Sequence, residues 1–133
     1  MGATVDAFKA THQTVVGLLE QIDSTGEQQR VDALNSLKEV LLAHVGEENN
    51  IILEAMDKPG AEGTFKPSAQ RFMAELGDIA QIALLPFFDK YSSSKAVDSD
   101  DFANDFGGIK SALADRIAFE EGRFYPELEK LGF

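Results

Sequence analysis

The chain has no cysteine and no tryptophan, and it is poor in basic residues relative to acidic ones. Without cysteine there are no disulfides, zinc–thiolate sites, iron–sulfur clusters or thiol nucleophiles. With 12 Lys and Arg against 23 Asp and Glu, the net charge is -11, which argues against nucleic acid and anionic membranes as partners. No apolar run approaches the length of a membrane span, and no basic patch with an apolar run opens the chain as in a signal peptide. We therefore expect a cytoplasmic protein.

Apolar residues recur at helical spacing in four segments that are divided by loop-forming residues. The segments cover about residues 4–23, about 27–57, from Pro67 to about 91, and from a cap at Asp98 or Ser99 to just before Gly132. Pro86 lies inside the third segment, so we expect a kink or an early end there. Four helices with short connections predict an all-α, up-down-up-down four-helix bundle that forms a single domain over residues 1–133.

Both histidines of the chain fall on the apolar stripes of predicted helices. His12 lies on the first stripe, and His44 and Glu48, one turn apart, take two positions on the second. In the fourth helix Arg116 and Glu120 interrupt the stripe in the same way. Polar groups that face a core need partners, and two carboxylates that meet there repel each other unless a cation lies between them. Imidazole and carboxylate ligands together suit iron, manganese or zinc.

The third helix offers Glu75, which shares a stripe with three apolar residues, Phe72, Ile79 and Ile82. Each of the four helices therefore presents at least one polar group to the interior. Ligand pairs that project inward from facing helices are how bundles build dinuclear carboxylate sites.

Three stretches of the chain resemble the hemerythrin-like, or HHE cation-binding, domain family. They run from Phe8 to Leu19, from Leu37 to Met56 and from Leu113 to Leu128. The last two look like the family's twin helices, in which a histidine, three residues and a glutamate follow one another. The resemblance implies a four-helix bundle with a non-haem di-iron centre that binds or senses oxygen, nitric oxide or iron. Carried over residue by residue, it implies that the metal ligands include His12, His44, Glu48 and Glu120.

The chain departs from the family pattern at two positions. Arg116 stands where the fourth-helix histidine is expected, and the third helix has no histidine, with Glu75 or Leu76 at the corresponding place. Arginine keeps its proton and cannot bind a metal. Three interpretations stay open: a carboxylate-rich dinuclear site that includes Glu75, with Arg116 outside the ligand set; a single ion, with the Arg116 guanidinium replacing the other; or a metal-free ion-pair network.

The sequence thus predicts a hemerythrin-like protein that binds a non-haem metal, with iron expected, one or two ions bound, and manganese or zinc as substitutes. Its ligand would be a diatomic gas, oxygen or nitric oxide, or its role would be iron handling. The alternative is a metal-free bundle that serves as a protein-interaction or regulatory module. A di-metal oxidase similar to ferritin-like proteins ranks last, because the fourth helix has no histidine. No Ser-His-Asp set, phosphate loop or dinucleotide fingerprint is present, so no enzymatic activity is assigned.

Overall fold

The computed structural model describes residues 2–133, and within this range it contains helices and no strands. The helices are α1 (Ala3–Ser24), α2 (Glu27–Met56), α3 (Phe65–Asp78), α4 (Leu85–Lys90), α5 (Ser94–Val97), α6 (Asp100–Phe119) and α7 (Tyr125–Lys130). The π-helical turns Ile79–Leu84 and Glu120–Phe124 join α3 to α4 and α6 to α7. Residues 65–90 therefore form the third long helix of the bundle, and residues 100–130 form the fourth. The predicted all-α helical bundle is confirmed.

The loops lie where the sequence predicts them. Thr25 and Gly26 separate α1 from α2, and the Thr25 hydroxyl donates to the carbonyl of Gln21 at the end of α1. The longer loop after α2 contains Gly60 and Gly63 with φ angles of 93° and 92°, a left-handed conformation that glycine adopts without a steric penalty. No helix in the part of the chain that the structure describes is long and apolar enough to cross a membrane.

Of the kink or early end expected at Pro86, the early end does not occur, since the helix continues to Lys90. Proline lacks an amide hydrogen, and in an α-helix its ring clashes with the carbonyl four residues earlier. Here a π turn comes directly before the proline, and the Leu85 amide donates to the carbonyl of Ala80, five residues earlier. The wider turn accommodates the proline without ending the helix. Pro126 follows the second π turn in the same manner.

The buried apolar residues form two clusters at opposite ends of the bundle. One cluster includes Val15, Leu41 and Leu113, and the other includes Phe8, Ile52 and Phe124. Along each contributing helix, the buried histidines and glutamates lie between members of the two clusters. This position isolates the polar side chains from bulk water at both ends.

Candidate metal centre

Four polar side chains from α1, α2 and the second π turn meet between the two apolar clusters. One ligand atom from each lies within 4.8 Å of all the others, and the four residues are His12, His44, Glu48 and Glu120. Their exposed fractions are between 0% and 6%. The structure thus brings together four of the five metal ligands that the sequence nominates.

The nitrogen and carboxylate oxygen atoms of this cluster lie close enough together to surround a single point. Nε2 of His12 lies 3.2 Å from Nε2 of His44 and 2.9 Å from Oε1 of Glu120. Nε2 of His44 lies 2.9 Å from Oε2 of Glu48 and 3.6 Å from Oε1 of Glu120. A metal ion bound at about 2.0–2.2 Å by nitrogen and oxygen ligands keeps its donor atoms about 3–3.5 Å apart. The observed spacing therefore fits one ion.

A buried carboxylate oxygen without a hydrogen-bond partner supports the same fit. Oε1 of Glu48 and Nδ1 of His44 are buried and have no hydrogen-bond partner within residues 2–133. A buried polar atom without a partner costs about 1–3 kcal/mol. A cation beside Glu48 would satisfy its second carboxylate oxygen, which nothing else in the described chain does.

The His12 ring is oriented from outside the cluster. Its Nδ1 lies 2.7 Å from Oε2 of Glu121, whose side chain is partly exposed. A carboxylate on one ring nitrogen fixes the tautomer and directs the other nitrogen inward, as is common for metal-binding histidines. Because Glu121 lies one position off the helix stripe, its partnership with His12 is not visible in the apolar periodicity.

Tyr125 is the site residue that the sequence analysis missed. Its hydroxyl donates to Oε2 of Glu48 at 2.5 Å and lies 2.9 Å from Oε1 of Glu120, and the residue is fully buried. In the sequence it follows Phe124 and precedes Pro126, so it resembles a simple apolar position. A tyrosine five residues after a stripe glutamate becomes a signal only when the π turn between them is known.

The protons of the cluster are distributed between imidazoles and carboxylates. Burial by itself lowers the pKa of His44, but its contacts with Glu120 and Glu48 outweigh burial and raise that pKa to about 9. The pKa of His12 is also raised above 6.5, since hydrogen bonds to Glu120 and Glu121 overcome its burial. When no metal is bound, both imidazole rings therefore tend to carry an extra proton and a positive charge.

The two carboxyls shift in opposite directions. Burial raises the pKa of Glu48 above its ordinary value. Burial acts on Glu120 in the same sense, but hydrogen bonds from His12 and His44 reverse it, so the pKa of Glu120 lies well below the usual range. Burial, together with both carboxylates, raises the pKa of the Tyr125 phenol. Without a metal, the protonated imidazoles offset the repulsion between the carboxylates of Glu48 and Glu120.

Glu75 does not join the other four residues. Its side chain is 53% exposed and accepts a hydrogen bond from Nη1 of Arg116 at 3.4 Å. The neighbouring Leu76 takes the inward position instead and is buried. Because the apolar stripe of α3 sets the rotation of the helix, it directs Glu75 toward solvent.

Arg116 turns toward the third helix rather than toward the carboxylates of the cluster. Its guanidinium carbon lies 4.3 Å from the ring centre of Phe72 and 5.2 Å from that of Phe119. Its Nη2 donates to the carbonyl of Phe72 at 3.5 Å. In the interpretation in which Arg116 replaces a metal ion, its guanidinium would pair with the carboxylates of the cluster. Instead it pairs with Glu75 and lies against two aromatic faces.

A small cavity of about 40 Å³ lies beside the cluster and touches all four of its residues. Leu76 and Arg116 border this cavity at the two positions where the chain departs from the family pattern. The other side chains that line it are apolar: Val15, Leu41, Val45, Ile79, Leu84, Leu113 and Ile117. The cavity has room for a diatomic molecule.

The chain matches the family model described as the hemerythrin HHE cation-binding domain over residues 3–128. No curated protein and no solved structure gives a significant match. The matched range contains all four residues of the cluster as well as Tyr125.

Proposed function

The chain belongs to the hemerythrin HHE cation-binding family, and from this membership we propose that it is a non-haem iron protein that binds a diatomic gas at a single metal ion. The observation that carries the proposal is the convergence of four buried imidazole and carboxylate ligands, His12, His44, Glu48 and Glu120. A bundle of this size has no structural need for four titratable side chains in its centre, since apolar side chains of similar volume serve stability as well or better.

A single ion is favoured over a pair by the residues on the far side of the cavity. Leu76 has no ligand atom, and the guanidinium of Arg116 keeps its proton. Glu75, the remaining carboxylate of this region, is directed to solvent. A second ion would therefore find no nitrogen ligand and would lie beside a fixed positive charge.

Iron is favoured because the site combines two nitrogen and two carboxylate ligands and no sulfur. This set suits iron, with manganese and zinc as competitors. When bound, iron supplies an open coordination position for a small molecule. The chain itself supplies the surroundings: Glu121 orients His12, and the apolar walls of the cavity exclude water from the ligand side.

The cavity supports a small ligand. Its volume of about 40 Å³ has room for a molecule of the size of oxygen or nitric oxide. Its polar groups are the four cluster residues and Arg116, so a bound molecule would meet polar atoms only there. These features support gas binding or sensing rather than catalysis on a larger substrate.

The test uses the purified chain, loaded with iron without chelators and analysed for bound metals. We expect one iron per chain in the wild type and an altered visible spectrum when nitric oxide is added. Glu48→Gln, which removes a charge at constant size, should lose the iron. Glu75→Gln is the matched control and should keep it, because this carboxylate lies outside the cluster.

Two results would contradict the proposal. Two irons per wild-type chain would show that a second position survives despite Arg116. A folded chain that takes up no metal would leave the interaction-module alternative, in which the bundle binds a protein partner.

A further inference from the structure

The Tyr125 hydroxyl lies in the middle of the polar cluster rather than at its edge. Besides its contacts with the two carboxylates, its oxygen lies 3.2 Å from Nε2 of His12 and 3.5 Å from Nε2 of His44. It is therefore within 3.5 Å of one donor atom of each of the four residues. A hydroxyl donates one hydrogen bond and accepts up to two, so hydrogen bonding accounts for at most three of these four neighbours.

The ring is held in this place from several sides. It stacks on the His12 ring with a centroid distance of 5.6 Å and an interplanar angle of 18°, and it lies 5.7 Å from the ring of Phe8. The Tyr125 amide donates to the carbonyl of Glu120, which fixes the backbone through the π turn. A donor atom placed by a packed ring and a fixed backbone is preorganised, which is what a ligand requires.

We propose that the phenol oxygen of Tyr125 is a fifth metal ligand and that, as a phenolate, it stabilises iron(III). Because oxygen binds to iron(II) and nitric oxide binds to either state, this ligand narrows the gas to nitric oxide. This inference rests on the proposed function, because it assumes that an ion binds among the other four residues. On ligation the phenol gives up the proton that it now donates to Glu48, and this proton is released to solvent together with those of the imidazoles that bind the ion. Oxygen donors of this hardness suit a small, highly charged cation.

The charge of the ligand set supports the trivalent ion. Two carboxylates and one phenolate carry three negative charges, and the two imidazoles bind as neutral ligands. With iron(III), the buried centre is neutral as a whole. A divalent ion would balance the two carboxylates alone, and the phenol would keep its proton. A phenolate ligand therefore goes with a trivalent ion, because an unpaired buried charge is strongly unfavourable.

The chain offers a clean optical test, since it has two tyrosines and no tryptophan. The second tyrosine, Tyr91, belongs to the other apolar cluster and donates a hydrogen bond to Asp105, and it serves as the control. We would load the wild type, Tyr125→Phe and Tyr91→Phe with iron(III) citrate, with gallium(III) citrate, with zinc(II) and, in the absence of oxygen, with iron(II). Gallium(III) is colourless and redox-inert, so it reports on ligation in the near-ultraviolet tyrosinate absorption.

We expect the iron(III) form of the wild type and of Tyr91→Phe to have a visible tyrosinate-to-iron charge-transfer band. Gallium(III) should produce the absorption of one tyrosinate per chain in both. Tyr125→Phe should show neither signal. If Tyr125→Phe fails to fold, Tyr91→Phe still decides, because Tyr125 is its sole tyrosine.

Three outcomes overturn the inference. If Tyr125→Phe binds iron(III) with an unchanged visible band, the phenol is not a ligand. If Tyr91→Phe binds gallium(III) without a tyrosinate signal, the same conclusion follows. If the chain binds zinc(II) or iron(II) but no trivalent ion, this inference fails and the proposed function stands, whereas a chain that binds none of these metals contradicts both.

Discussion

The Nε2 atoms of His12 and His44 face each other at 3.2 Å, although the two rings come from different helices. Each of these nitrogens also lies 2.9 Å from a carboxylate oxygen, Oε1 of Glu120 for His12 and Oε2 of Glu48 for His44, so each ring can direct its proton to a carboxylate. Two buried carboxylates complete the surroundings of this point. In the metal-free chain, protons therefore hold the centre together, and a metal ion takes over that role when it binds.

Metal should stabilise the wild-type fold. A ligand that binds the folded chain alone, at a concentration of 100 times its Kd, adds about 2.7 kcal/mol to the free energy of unfolding. Urea unfolding with iron or zinc, compared with unfolding in chelator, measures this difference. His44→Ala should lose most of it and Glu75→Gln should retain it; an equal gain in His44→Ala would mean that the metal binds elsewhere.

The stability of the metal-free chain should fall in alkaline solution. The pKa of His44 is about 9 in the folded chain, above its ordinary value of 6.5. A raised pKa stabilises the fold fully below pH 6.5, and this contribution is lost as the pH rises through 9. Urea midpoints in chelator should therefore decrease between these pH values. The decrease should be smaller in His44→Gln, and a midpoint that rises with pH would contradict the assignment.

Arg116 should contribute to stability through packing more than through its ion pair. Its partner Glu75 is more than half exposed, and pairs of this kind contribute about 0–1 kcal/mol. Glu75→Gln should therefore change the free energy of unfolding by less than about 0.5 kcal/mol. Arg116→Ala should cost about 1–2 kcal/mol, because it uncovers the faces of Phe72 and Phe119. Arg116→Met, which keeps the covering stem, should cost less; equal losses in Glu75→Gln and Arg116→Ala would favour the ion pair.

A second metal position should be recoverable by design. Leu76 and Arg116 both border the cavity that touches the cluster, so histidines at these positions would direct two imidazoles toward it. The double variant Leu76→His with Arg116→His should bind two ions per chain in place of one, as measured by elemental analysis. The control variant Arg116→Lys keeps the positive charge and should still bind one ion per chain. A double variant that still binds a single ion would indicate that the cavity cannot admit another.

Helical periodicity identified most of the site because three of its four clustered residues lie on regular α-helices. His12, His44 and Glu48 lie on α-helices whose apolar stripes are unambiguous, so a polar residue on the stripe must face the core. Glu120 was found in the same way, since it directly follows α6. The helix ends also agree with the predicted segments to within a few residues, and the short helix α5 (Ser94–Val97) lies outside those segments.

Two site features depend on rotations that the sequence does not specify. In α3, Glu75 and Leu76 are neighbours about 100° apart on the helix, and packing places Leu76 inside. In an α-helix, Glu120 and Tyr125 would point about 140° apart. The π turn between them adds a residue to the turn and brings both side chains onto one face.

The extra residue in the π turn determines the direction in which the Tyr125 phenol points. Gly122 lies inside the turn, and no neighbouring group restricts the space beside it. If the turn became α-helical with its length unchanged, the side chains of Glu120 and Tyr125 would point about 140° apart and the phenol would leave the cluster. Deleting Gly122 would restore α geometry with these two residues four positions apart, about 40° around the axis, and would keep both side chains on one face. The number of residues in one helical turn, as well as their identity, thus decides which side chains meet in the centre of this bundle.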